Sequence, residues 1–200
     1  MRLLLLIFII FSFSCKEKKR YANNNLSEYQ KNVNNFFKDA SVSPLQSKDL
    51  KNFKGLDFFE SDSTYIVSAR IQKTPESLPF KMKTTSNTPA DFRMYGKLIF
   101  NLKNQDLELF VYENLEYIDV EGYENYLFLP FSDQTNGFET YGGGRYIDIY
   151  LNENDFTIID FNKAYNPQCV YNENYSCPIV PRENNLKIRV EAGVKNFTQN

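Results

Sequence analysis

The chain has 200 residues, with 23 Lys and Arg against 25 Asp and Glu, no His, no Trp and three Cys. That length suits one ordinary domain, and a net charge of −2 offers no electrostatic footprint for nucleic acid. The absence of His removes Ser-His and Cys-His nucleophile pairs and every zinc site built on imidazole, and no GxxxxGK[ST] loop is present for a nucleotide.

In chain order, Arg2 supplies a short positive start and Leu3 to Phe11 is an unbroken apolar run. Ser12, Phe13 and Ser14 then lead into Cys15. This reads as a signal peptide over residues 1–14, too short to span a bilayer as a stable helix. A Cys directly after the apolar run resembles the bacterial lipoprotein box, which implies cleavage before Cys15 and acylation of its thiol. The bland alternative is an ordinary signal peptide with an incidental Cys. Acyl chains contribute about 0.8 kcal/mol per buried CH₂, so the expected partner is a lipid bilayer, reached through Cys15. Residues 15–25, with the charged run Lys16 to Arg20, read as a tether. Lys16 after the Cys resembles lipoproteins sent to an outer membrane. The expected location is the bacterial cell envelope, on the periplasmic side of the outer membrane.

Residues 26–200 read as a single β-rich domain. Ser27 and Gln30 form an S-x-x-Q capping box. Tyr29, Val33, Phe36 and Phe37 follow on one helical face, predicting a helix to about Asp39. Leu45 to Phe53 allows a second short helical turn before Gly55. From Leu56 the period becomes two. Strands are predicted over 65–72, 80–85, 95–102, 107–112, 126–131, 146–151, 156–161 and 186–192, with a hairpin turning at Asn104-Gln105. The fold class is therefore all-β, a mainly antiparallel sandwich or barrel-like sheet with one or two short N-terminal helices. The 14 Tyr and 18 Phe belong mostly to its core, though a Tyr-lined groove for a sugar ring is a minority alternative.

Two segments crowd together unusual polar residues. The first, FSDQTNGFETYGGGRYI, spans Phe131 to Ile147, and Gly142 to Gly144 leave its backbone free to form an anion-binding nest beside Arg145. The bland reading is a turn with Arg145 paired to Asp133 or Asp160. The second, DFNKAYNPQCVYNENYSCPIVPREN, spans Asp160 to Asn184. Its Cys169 and Cys177 suit a disulfide in an oxidising compartment, closing a short loop for about 2.5 kcal/mol. Two free thiols or a two-thiolate metal site are the alternatives, but with no His no closed zinc site follows, so neither metal nor cofactor is expected. The candidate ligand-contacting residues are Asp133, Thr140, Tyr141, Gly143, Gly144 and Arg145 in the first segment, and Asp160, Asn162, Asn166 and Glu183 in the second. For acid–base chemistry the candidates are Asp133, Glu139, Asp160 and Glu183, with Tyr141 beside Arg145 as a further acid.

These two segments carry a resemblance. With AGVK at Ala192 to Lys195, SPL at Ser43 to Leu45 and FKGLDFF at Phe53 to Phe59, the chain resembles the bacterial and archaeal family known as domain of unknown function 1684, over roughly Asn25 to Phe197. The resemblance implies that the two segments are the family's core feature, and it implies no activity or catalytic residue. The expected function is a non-catalytic, membrane-tethered domain binding a small anionic or glycan ligand or an envelope partner. A hydrolase of envelope material using paired carboxylates and a purely structural envelope protein are the alternatives. A flat, fully filled patch with Arg145 buried in a closed ion pair would sink the binding reading.

Overall fold

The computed structural model describes residues 26–152 and 154–197. The signal peptide over 1–14, Cys15 and the tether to residue 25 lie outside the described residues. Among the described residues no helix is long and apolar enough to cross a membrane.

The first element is helix α1, Glu28–Lys38. Its capping box forms as the sequence predicts. Ser27 Oγ accepts from the Gln30 N–H at 3.3 Å, and Gln30 Oε1 accepts from the Ser27 N–H at 3.0 Å. The buried face differs from the expected one, because it carries two amides. Asn34 Oδ1 accepts from the Leu56 N–H at 2.8 Å, and Gln30 Nε2 donates to the Phe59 carbonyl at 3.3 Å. Phe37 is buried against Phe53 and Tyr171, whereas Phe36 stays exposed. The second helical piece, α2, is the single turn Ser47–Leu50.

Seven strands follow: β1 Ile66–Lys73, β2 Phe80–Met82, β3 Ala90–Leu102, β4 Gln105–Asn114, β5 Tyr126–Phe131, β6 Arg145–Tyr150 and β7 Phe156–Asp160. They form a mostly antiparallel half-barrel sheet in the order β6-β5-β4-β3-β1-β7, with β2 on the outer part of β3. The β3–β4 hairpin pairs Leu102 with Gln105, so the turn is Lys103-Asn104, one residue before the expected place. Both turn residues have positive φ, 52° and 60°, which matches the twist a two-residue hairpin loop needs. Strand β3 bulges between Met94 and Gly96. A side chain at Gly96 would put its Cβ 2.6 Å from the Gln72 carbonyl oxygen, so glycine alone fits this close approach.

One face of the sheet holds the main core. Ala69, Leu98, Leu109, Val111, Leu129 and Ile159 are fully buried there. Strand β5 is buried on both faces, because Phe128 on its other side joins Met82, Phe92, Tyr112 and Tyr146 in a second cluster. That explains its unbroken apolar sequence.

The expected eighth strand, Leu186–Ala192, is corrected. Its alternation is real, since Leu186, Ile188, Val190 and Ala192 all join the main core. It forms no regular ladder, however. Its first half runs beside residues 132–134 through the bonds Leu186 N–H to Ser132 O at 2.8 Å and Gln134 N–H to Ile188 O at 2.9 Å. Its later carbonyls are held by a side chain instead of a neighbouring strand. That side chain is Arg145.

Candidate functional site

Phe131 at the end of β5 pairs with Arg145 at the start of β6, and residues 132–144 connect them. The connection is tied together by its own short polar side chains. Asp133 Oδ1 accepts from the Thr135 N–H at 2.8 Å, the Thr135 and Thr140 hydroxyls meet at 2.8 Å, and Asn136 Nδ2 donates to Thr140 and to the Tyr141 carbonyl. Gly144 returns the chain to the sheet with φ +93°, where a Cβ would lie 2.6 Å from both the Phe131 carbonyl oxygen and Val180. Its N–H closes a turn on the Tyr141 carbonyl at 3.2 Å, so this member of the expected anion nest is used internally.

Arg145 has no exposed surface. Its Nη2 meets Asp133 Oδ2 at 2.9 Å and the Val190 carbonyl at 2.9 Å, while Nη1 donates to the Ala192 and Val194 carbonyls. The guanidinium also stands 5.3 Å from the Phe131 ring centre. Asp133 is equally enclosed, and its Oδ1 takes the Val190 N–H at 3.1 Å. Burial lowers the Arg145 pKa, and the Asp133 carboxylate opposes that shift. Only Nε lacks a partner. The expectation that Arg145 and the Gly142–Gly144 backbone hold an anion is corrected, since Arg145 is buried and paired; Asp133, Thr140 and Gly144, further binding candidates, are also buried and serve the fold. The hydrolytic pair fails with it. Asp133 has both oxygens committed to the interior, and a carboxylate acting on a substrate must reach a cleft.

The second segment does not converge on Arg145 either. Asp160 caps a short 3-10 turn, accepting from the Asn162 N–H at 3.1 Å and standing 3.9 Å from Lys163. Asn162 clasps Asp62 through both backbone groups. Asn166 is buried and donates to Lys195 O and the Tyr171 hydroxyl, leaving its Oδ1 unpartnered. Glu183 is exposed and accepts from Tyr112 at 3.3 Å. Its neighbour Asn184, which the sequence reading passed over, bonds the Phe110 N–H and the Phe110 and Pro130 carbonyls. Cys169 and Cys177 stand as neighbouring free thiols, a correction to the expected disulfide. Cys177 Sγ accepts the Cys169 N–H at 3.0 Å, and burial pushes its thiol up to about 12. Among the described residues, no three His, Cys, Asp or Glu side chains gather where they would hold a metal ion.

Tyr141 and the exposed Gly143 remain accessible. Tyr141 lines an open groove of about 290 Å³ with Thr85, Ser86, Cys169, Asn174 and Tyr175. The groove exists because the stretch after β2 docks on the cysteine loop. Thr85 N–H donates to the Cys177 carbonyl at 2.9 Å, the Cys177 N–H donates to Thr85 Oγ1 at 3.0 Å, and the Ser86 and Ser176 hydroxyls meet at 2.7 Å. A second hollow of about 300 Å³ adjoins at Ser86, lined by Lys83, Thr84, Asn87, Pro89 and Ile179. Across both, the charged side chains are Glu173 and Lys83, one of each sign. The lining is otherwise hydroxyl, amide, thiol and ring. Sequence reasoning found Tyr141 but missed Thr85, Ser86, Asn174 and Tyr175. They lie in turns with no chemical signature, brought together only by tertiary pairing.

The sequence pattern of the family described as Protein of unknown function (DUF1684) matches residues 51–195, which takes in all seven strands and most of the closing segment. The solution NMR structure of the uncharacterised protein from gene locus rrnAC0354 of Haloarcula marismortui is similar to this chain. It has a TM-score of 0.65 and 28% identity, covering 83% of this chain and 89% of that one. Among curated proteins none matches.

Proposed function

The chain belongs to the DUF1684 family, and we propose that this member is an envelope lipoprotein whose β-domain binds a neutral, polyhydroxylated ligand of the glycan class, without catalysis. The N-terminal segment supports the tethered placement. Residues 1–14 followed by Cys15 have the order of a lipoprotein signal, and the bilayer is reached through the acylated Cys15. The binding reading rests on one observation. The groove between Tyr141, Tyr175 and Thr85-Ser86 offers rings, hydroxyls and amides but no cluster of cations. Sugars are held by stacking on aromatic faces and by short-range hydrogen bonds, whereas an anion is held best by clustered cations, and the Arg145 guanidinium is buried elsewhere. The expected ligand class therefore narrows from anionic or glycan to glycan.

Titration of the ¹⁵N-labelled domain with N-acetylglucosamine disaccharide, and with glucuronate as the anionic control, tests this. The disaccharide is expected to move resonances at Tyr141, Asn174 and Tyr175 with millimolar affinity, and glucuronate to move none of them. Taking one stacked ring at about 0.5–1.5 kcal/mol, the range for aromatic pairs, Tyr175→Ala is expected to weaken binding about two- to thirteenfold. No saturable shift with a neutral saccharide, or tighter binding of glucuronate, rejects the reading.

A further inference from the structure

A path of hydrogen bonds and backbone leads from the first turn of α1 to an exposed aromatic face. Tyr29 donates to the Lys163 carbonyl at 3.1 Å. Two residues later, Tyr165 donates to the Asp148 carboxylate at 2.7 Å, and Tyr126 donates to the same oxygen at 3.0 Å. The Tyr126 ring centre then lies 5.3 Å from Tyr123 and 5.7 Å from Tyr150, and Tyr117 lies 4.8 Å from Tyr123. Tyr117, Tyr123 and Tyr150 are 39%, 38% and 60% exposed, with Ile118 and Val120 exposed beside them.

This face is acidic as well as aromatic. The β4–β5 connection carries Glu116, Asp119, Glu121 and Glu124, and no Lys or Arg occurs from Asn104 to Gly144. None of these four acids, nor Asp148, makes a salt bridge among the described residues. Ring faces and unpaired carboxylates together attract Lys and Arg side chains, which gain both cation–π and ionic contacts.

The chain carries such a segment within reach. Lys16, Lys18, Lys19 and Arg20 place four cations around the single acid Glu17, and five residues separate Arg20 from Leu26, where the described chain begins. At about 3.3 Å per extended residue, that spacer spans on the order of 20 Å. The first turn of α1 is tied at Lys163, two residues from Tyr165, whose hydroxyl donates to Asp148 at the face. We propose that the basic run Lys16–Arg20 docks on the acidic tyrosine face of its own domain, formed by Tyr117, Tyr123, Tyr126 and Tyr150 around Asp148. A linked segment acts at millimolar effective concentration, so individually weak contacts suffice. This inference is independent of the groove. With the anchor at Cys15, it also holds the domain in one orientation next to the bilayer.

The test uses the mature chain from residue 15 with Cys15→Ser, treated with a carbodiimide that joins amines to carboxylates, followed by mass spectrometry. Lys16, Lys18 and Lys19 are expected to join to Glu116, Asp119, Glu121 or Asp148, with the yield falling at least tenfold in 1 M NaCl. Mixing ¹⁴N and ¹⁵N chains separates the modes. Links within one isotope support the proposal, and mixed-isotope links mean a second copy occupies the face and overturn it. Links spread evenly over acids such as Asp106, at the far end of the β3–β4 hairpin, overturn it as well. A second measurement does not depend on cross-linking. Lys18→Glu with Lys19→Glu, both outside the described residues, is expected to shift the amide resonances of residues 117–123 while leaving β1 unchanged. Unmoved resonances at 117–123 overturn the proposal.

Discussion

Arg145 shows how a residue suited to ligand chemistry becomes structural. Its planar donor fork needs several acceptors, and the fold supplies the Val190, Ala192 and Val194 carbonyls and the Asp133 carboxylate. Removing one partner of a buried ion pair leaves the other charge uncompensated, which costs about 3–5 kcal/mol. Arg145→Ala is therefore expected to lower the urea unfolding free energy by about that amount, and to release the segment from Val190 to Val194. Arg145→Lys is expected to recover little, because an ammonium cannot reproduce the fork. A loss below about 1 kcal/mol would mean that the charge is dispensable and would reopen a ligand role for Arg145. Tyr141, four residues earlier, keeps an accessible ring because the same connection turns it outward.

At the scale of elements, α1 and the strands are stabilised differently. The strands share the main core and a second cluster on the other face, while α1 packs through Phe37 into a separate small cluster with Leu45, Phe53 and Tyr171. The helix is eleven residues long, too short to persist in water on propensity alone. Its stability therefore depends on that cluster and on the amide bonds of Gln30 and Asn34. Phe37→Ala is expected to raise amide hydrogen exchange throughout α1 by an order of magnitude or more, while β3 and β4 keep their protection. Equal loss of protection in helix and sheet would show instead that the two unfold together.

For the whole molecule, the abundance of buried phenols sets the response to pH. Burial is the leading cause that raises the pKa of Tyr112, Tyr126, Tyr146 and Tyr165, with Asp148 adding to it at Tyr126 and Tyr165, and Tyr29 is pushed up to about 12. The Cys177 thiol moves the same way. A group with a folded pKa above its unfolded value stabilises the fold fully below the unfolded value. That stabilisation is lost as pH rises, because the unfolded chain alone releases the proton. The unfolded values are about 8.5 for Cys and about 10 for Tyr. Unfolding free energy is therefore expected to hold steady between pH 7 and pH 8, and to fall progressively above pH 9–10. Urea titrations at pH 8, 10 and 11 check this, and undiminished stability at pH 11 would contradict it.

Much of the architecture was legible in the sequence. The capping box at Ser27 and the period-two segments each act through neighbours in the chain, so local chemistry determined them. The family segments marked the parts that hold the sheet together. Tertiary structure decided the rest, because hydrogen-bond partners far apart in sequence are chosen by packing. Leu186–Ala192 has a strand's alternation but gives its later carbonyls to a guanidinium about 45 residues away. The bland pairing of Arg145 with Asp133 prevailed over the anion site because the core leaves neither charge any other partner. The accessible groove, in turn, arises where the stretch after β2 meets the cysteine loop about 90 residues later, a junction to which no local pattern points.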